Sequence, residues 1–290
     1  MENLDCLAWA RSLARKANAH KGDHGKVLLI GGAPGMAGAL VLAGQAALYS
    51  GAGYTQLLML DDASAHVVPS QPELMLQSAA LWHGRAAQAL AHLGPDLIAI
   101  GPGLGQSAHT RHWLQAALQW DGPLVLDADA VNILAQDAPM LHSLAQRAAP
   151  VCLTPHPGEA ARLLQRHGAQ VQADRPGALD SLSKLTGSIV VLKGQHTLVG
   201  APNQSTRRCL AGNPGMATAG MGDVLTGCIA ALAAQGLRAG LSLWQASCLG
   251  VQVHARAGDQ LCAAGIGPIG LTPSELARQL RIVINQAAAR

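Results

Sequence analysis

Short apolar runs rich in Val, Ile and Leu alternate along the chain with longer stretches in which Ala, Leu and Gln recur at helical spacing. The runs predict strands over 26–32, 55–60, 97–101, 123–127, 151–154 and 188–193, and the stretches between them predict helices over 37–50, 82–93, 110–119, 130–146 and 158–167. Strand–helix alternation of this kind predicts an α/β fold, a sandwich with a central, mostly parallel sheet covered by helices on both faces. Residues 196–200 are expected to pair antiparallel with the strand before them through the Gly194-Gln195 turn. The last third reads as helical over 223–235, 242–257 and 273–288, the last opened by the capping box Thr272-Pro-Ser-Glu275. A further helix is expected over 4–20, packed on the rest, and 168–177 and 201–212 read as loops. No internal repeat or linker divides the chain, so residues 1–290 are read as one domain.

Composition narrows the classes. With 290 residues, 49% of them hydrophobic, a sizeable core presents no difficulty. The longest apolar runs fall far short of the roughly 20 residues that cross a bilayer, and charged residues interrupt the N-terminal stretch where a signal peptide would be apolar. A cytoplasmic protein with no membrane partner is the expectation. The six cysteines show neither Cys-x-x-Cys pairs nor metal-site spacing and read as small buried hydrophobes. A net charge of +3 is spread thinly, without interleaved aromatics, which argues against a nucleic-acid partner.

The chemistry collects in turns. In open parallel sheets ligands sit beyond the carboxyl ends of strands, and five of the predicted strands run at once into glycine-rich or polar turns. These are Gly31 to Ala39, Gly101-Pro-Gly-Leu-Gly105, Asp127-Ala-Asp129, Thr154-Pro-His-Pro-Gly-Glu159 and Lys193-Gly194. Carboxylates at 127 and 129 suit Mg²⁺ held through water, or a capped helix start. His156, fixed between two prolines, suits ligand contact or a satisfied structural histidine, and Lys193 suits a phosphate or an exposed strand end. The sixth turn, Asn213 to Gly227, sets Asp223 beside Gly220 and Gly222 where an apolar helix begins. Free amides at a helix start suit a phosphate, and Asp223 is then either a base beside an anion hole or a helix cap.

Taken in order, these motifs resemble the ADP- or ATP-dependent NAD(P)H-hydrate dehydratases, the YjeF C-terminal-domain family of the ribokinase-like fold, over most of the chain. The resemblance implies phosphorylation of the S-epimer of NAD(P)H hydrate by ADP or ATP, then loss of phosphate to regenerate NAD(P)H. It implies Asp223 as the acid that takes the hydroxyl proton, and Gly220 and Gly222 in the anion hole. Ala39, Gly103, His156 and Asp223 fall on hydrate-binding positions, and Lys193, Gly194, Gln195, His196, Thr197 and Gly222 on nucleotide-binding ones. Mg²⁺ is implied without a protein ligand, as is a homo-oligomer, commonly a tetramer. Many bacterial relatives carry an N-terminal epimerase domain, and no epimerase activity is expected of this chain. Two positions depart from the family's usual Gly-Gly-Ser-Gly-Asp: Ala219 replaces a glycine and Met221 a serine. Two other readings stay open, a small-molecule kinase of the same fold acting on a pyrimidine or thiazole alcohol, and a non-catalytic nucleotide sensor.

Overall fold

The computed structural model describes residues 1–65 and 71–289. Ten strands form one sheet: β1 Glu2–Asn3, β2 Lys26–Gly31, β3 Tyr54–Met59, β4 Met75–Ser78, β5 Leu97–Ile100, β6 Leu124–Leu126, β7 Val151–Leu153, β8 Ile189–Leu192, β9 Leu198–Ala201 and β10 Gln204–Arg208. Their order across the sheet is β1-β10-β9-β8-β7-β6-β5-β2-β3-β4. Strands β2 to β8 are mutually parallel, while β9 runs antiparallel to β8 and to β10. The chain leaves β2 toward β3 and β4, then returns to β5 on the other side of β2. That reversal is a topological switch point, beyond which a crevice forms at the carboxyl ends of the strands.

Helices cover both faces. They are α1 Ala37–Tyr49, α2 Asp62–Ala65, α3 Ala86–Leu93, α4 Ala108–Gln119, α5 Ala128–Gln136, α6 Ala138–Ala145, α7 Pro157–Leu163, α8 Gly168–Ala173, α9 Arg175–Thr186, α10 Met221–Arg238, α11 Leu243–Ala263 and α12 Pro273–Ala288. Alternation along a strand divides the core in two. Val27 and Leu29 of β2 point into one cluster with α1, α10, α11 and α12, while Leu28 and Ile30 point into the other, beneath α3 to α9. Thus the α/β/α sandwich is realised with its expected parallel core. On the first face α1 and α10 approach so closely that a Cβ at Gly227 would lie 1.9 Å from the Ala43 carbonyl oxygen.

Four expectations are corrected. The N-terminal helix over 4–20 is only a 3₁₀ segment, Leu7–Leu13, preceded by the edge strand β1. The helix over 130–146 is two, because Asp137 caps a new start by accepting from the Met140 N–H with Pro139 in the first turn. The loop over 168–177 holds α8 and the start of α9, where Asp174 caps Gly177 and Pro176 fits the first helical turn. The loop over 201–212 holds β10, whose polar sequence suits a strand near the sheet edge with little to bury.

Candidate active site

A cavity of about 780 Å³ opens beyond the carboxyl ends of β6, β7 and β8 and beneath the N-terminus of α10. The turn after each strand delivers charged or polar side chains to it. Asp127 follows β6, its N–H held by the Ile100 carbonyl at 3.1 Å; Thr154 to Glu159 follow β7; Lys193 follows β8, its N–H held by the Pro155 carbonyl at 2.9 Å. Backbone bonds between neighbouring strand ends therefore fix the side chains before any ligand arrives.

Asp127 is the hub. It is 1% exposed, and both carboxylate oxygens are engaged: Oδ1 accepts from Lys193 Nζ at 2.7 Å and Oδ2 from Thr226 Oγ1 at 2.8 Å. Lys193 Nζ also stands 3.9 Å from Glu159 Oε2. Burial pulls the Lys193 ammonium down, yet Asp127 and Glu159 outweigh it and hold the group protonated. Three carboxyls, Asp127, Glu159 and Asp223, thus share one ammonium. Burial, with Asp127 nearby, pushes the Glu159 carboxyl up against the pull of Lys193. The same causes, burial first and then Asp127, raise Asp223 to about 7 against the pull of Lys193.

At the start of α10 the N-cap is Gly220, with φ of 93°, and no side chain caps the helix. Asp223 therefore sits in the first turn and is not the N-cap. A Cβ at 220 would meet Leu42 Cδ1 at 2.8 Å and Pro273 Cγ at 3.0 Å, so both conformation and space call for glycine. The Met221 N–H turns back to the Thr218 carbonyl at 3.3 Å. The amides of Gly222 and Asp223 precede any i−4 carbonyl of the helix and remain available to an anion at the cavity. A carboxyl poised near neutrality, an ammonium and free helix amides in one cavity suit proton removal beside phosphate binding.

A sequence profile of the NAD(P)H-hydrate dehydratase family matches residues 27–281. The chain belongs to this family. It is 41% identical over 283 residues to an ADP-dependent (S)-NAD(P)H-hydrate dehydratase of Neisseria meningitidis, covering 94% of this chain and 89% of that protein. It is also 41% identical over 273 residues to a bifunctional NAD(P)H-hydrate repair enzyme of Coxiella burnetii, covering 93% of this chain and 52% of that one. The chain spans about half the length of such bifunctional relatives. Among solved structures, the Bacillus subtilis ADP/ATP-dependent NAD(P)H-hydrate dehydratase co-crystallised with ATP and Mg²⁺ superposes with a TM-score of 0.81 at 29% identity, over 96% of each chain. A hydroxyethylthiazole kinase of Pyrococcus horikoshii, at 14% identity and a TM-score of 0.59, shares the fold alone.

Around this cavity the expected residues divide. His156, the run Lys193 to Thr197, Gly220, Gly222 and Asp223 all line the cavity, and Glu159, which the sequence did not single out as a site residue, lines it with them. Ala39 and Gly103 do not line it; they lie against each other at the switch point, where the Gly32 and Ala33 N–H groups donate to the Pro102 and Gly103 carbonyls. His156 serves two ends: its Nδ1 accepts from the Gly158 and Glu159 N–H groups as the cap of α7, while the ring remains half exposed at the cavity. Burial, then the charge of Lys193, holds that imidazole below its usual pKa. Asp129 departs from its expected company, since it accepts from the Gly105 N–H at 2.9 Å and so pins the Gly101 to Gly105 turn.

The two departures from the family pattern are harmless in the backbone. Ala219 is exposed and is not among the non-glycine residues with positive φ, so its Cβ is unstrained. Met221 is 5% exposed and packs into the core beneath the turn, leaving its amide geometry to the helix. The sequence singled out neither His254, which lines the cavity, nor Arg175, which supports one of its walls. The Arg175 guanidinium donates to the Leu192, Lys193 and Gln195 carbonyls and holds the 192–195 turn from behind. A Pro in the next position, typical of a helix start, was the available signal for its element.

Among the described residues no cluster of three or more His, Cys, Asp or Glu side chains is arranged to hold a metal ion. The donor set still suits Mg²⁺ arriving with a nucleotide, because Mg²⁺ is commonly held by one or two carboxylates together with phosphate oxygens and water. A polyphosphate beside three carboxyls and one ammonium also calls for a compensating cation. No helix among the described residues is long and apolar enough to cross a membrane.

Proposed function

We propose that the chain uses ADP to dehydrate the S-epimer of NAD(P)H hydrate, releasing NAD(P)H, AMP and phosphate. The observation that carries this reading is the Asp223 carboxyl raised to about 7 beside the open amides of α10 and the Lys193 ammonium. A base works best when its pKa lies near the working pH, and Asp223 meets that condition. The substrate hydroxyl gives its proton to Asp223 as its oxygen attacks the β-phosphorus of ADP; the new O–P bond forms as the bond to the AMP oxygen breaks. Negative charge on the phosphoryl oxygens falls to the Gly220 to Gly222 turn and Lys193. The C–O bond then breaks, the oxygen leaves with phosphate, the neighbouring carbon loses a proton, and the ring double bond returns.

On this reading His156 bears on the hydrate within the cavity, Ala39 and Gly103 on the part of it that extends beyond the cavity, and Lys193 to Thr197 on the nucleotide. Bound Mg²⁺ would neutralise phosphate charge, with Asp127 and Glu159 the carboxylates at hand to reach it directly or through water. The same reading makes the protein a cytoplasmic homo-oligomer, a tetramer by family resemblance, and light scattering tests that assembly. The activity is tested by incubating the chain with hydrated NADH, Mg²⁺ and either ADP or ATP while following reduced-nicotinamide absorbance. Recovery that requires ADP supports the proposal. No recovery despite nucleotide binding favours a sensor, and phosphorylation of a pyrimidine or thiazole alcohol instead favours a kinase.

A further inference from the structure

The imidazole of His254 lies on α11, outside every motif that marks the site in the sequence. It is 8% exposed, it lines the cavity, and its Nε2 stands 3.0 Å from the Met221 carbonyl oxygen. A carbonyl oxygen only accepts, so Nε2 carries the hydrogen and donates it. We propose that His254 is a positioning residue for the anion hole, fixing the Met221–Gly222 peptide and strengthening its N–H as a donor to the transferred phosphoryl group. This inference rests on the proposed phosphoryl transfer and goes one step behind it.

The Met221 carbonyl and the Gly222 N–H are opposite ends of one planar peptide unit. In the first turn of α10 the carbonyl points along the helix and the N–H points back toward its start, at the cavity that Gly222 lines. A hydrogen bond accepted at one end of a peptide polarises the other end, by roughly 10–30% in bond strength. Orientation matters as much. Gly220 and Gly222 flank Met221, and glycines leave the backbone more freedom than other residues. His254 anchors the carbonyl between them from a separate, buried helix, so the donor is aimed before the phosphate arrives. Burial first, then the charge of Lys193, takes the imidazole pKa down to about 4 against the pull of the Met221 bond. The ring is therefore neutral at neutral pH and adds no charge to the cavity wall.

The test compares the full chain with His254→Leu, His254→Gln and His254→Asn. Glutamine carries an amide N–H out to about the reach of Nε2; asparagine is shorter and leucine has no donor. The first readout is the Gly222 amide proton resonance without ligand. The expected result is an upfield move in the Leu and Asn variants and a position near wild type in the Gln variant. The second readout is ADP-dependent repair, where kcat falls roughly 10- to 100-fold in Leu and Asn, less than loss of a whole anion-hole donor entails. KM for ADP stays within about threefold, and Gln restores most of kcat. An unmoved Gly222 resonance, or a Gln variant as impaired as Asn, overturns the inference. Should Leu not fold, the Gln and Asn pair makes the same comparison. A wild type without ADP-dependent repair defeats the proposed function instead, and the resonance comparison still decides the role of His254.

Discussion

Replacing Asp223 with asparagine should make the protein more stable and stop it working. In the native fold the carboxyl is raised from 3.8 to about 7, chiefly by burial and then by Asp127. At about 1.4 kcal/mol for each tenfold change, ionising it at high pH works against folding by up to roughly 4 kcal/mol. Its partial exposure to the cavity brings the expected figure to roughly 1–3 kcal/mol. An acid in the first turn of a helix gains about 0.3–1 kcal/mol from the helix dipole, so burial wins. The sign follows from proton counting: the folded state keeps the proton to higher pH than the unfolded chain, so wild-type stability falls as pH rises from about 4 to about 7. Urea unfolding of both proteins across pH 4 to 8 should show little difference at the acid end. By pH 8 the Asn variant should be ahead by roughly 1–3 kcal/mol. Its turnover should drop by about 10³-fold, within the range for loss of a general base, while ADP affinity stays nearly unchanged. A wild type more stable than the variant at pH 8, or a variant that turns over within about tenfold of wild type, would refute the reasoning.

Other perturbations separate stability from binding. Gly222→Ala places a Cβ 3.3 Å from Lys193 Nζ at the cavity; helix propensity should hold or raise the melting temperature, while calorimetry should show ADP binding weakened by about tenfold or more. Met221→Ser restores the family's usual residue but empties a buried site, and denaturant unfolding should show a loss of roughly 2–4 kcal/mol without a gain in activity. Arg175→Ala releases the three carbonyls of the 192–195 turn, and KM for ADP should rise roughly tenfold with kcat changed less. The acid limb of kcat/KM should have its midpoint near pH 7, the value to which burial raises Asp223, and a limb centred near 4 would show that the carboxyl is not raised in the working enzyme.

Much of the architecture was readable because its signals are local. Each of the six predicted parallel strands is an apolar run, five of them ending in a glycine-rich or polar turn, and all six are present within about two residues. The elements that escaped lack such a signal. Strand β10 is polar because it packs little, and α8 and α9 carry glycine and proline in positions that read as loop until their caps are seen. At the site, Asp223, Lys193 and His156 were legible from their turns. Their connections were not: Thr226 and Asp127 are 99 residues apart, and no sequence period reports that one hydroxyl holds one carboxylate oxygen. His254 sits mid-helix among apolar residues, where a single histidine looks like any other core-facing side chain. The pairing of Asp127 with Asp129 was misleading for the same reason, since adjacent acids around a strand end diverge to different turns.

In the proposed reaction this cavity transfers a phosphoryl group from ADP to a hydroxyl on the hydrated nicotinamide ring, with Asp223 taking the proton. The most direct measurement follows AMP, phosphate and NADH together in one reaction of the chain with the S-epimer of NADH hydrate, ADP and Mg²⁺. All three should appear in equal amounts, and Asp223→Asn should suppress all three alike. NADH recovered without AMP, or AMP released at the wild-type rate by the Asn variant, would contradict the proposed reaction.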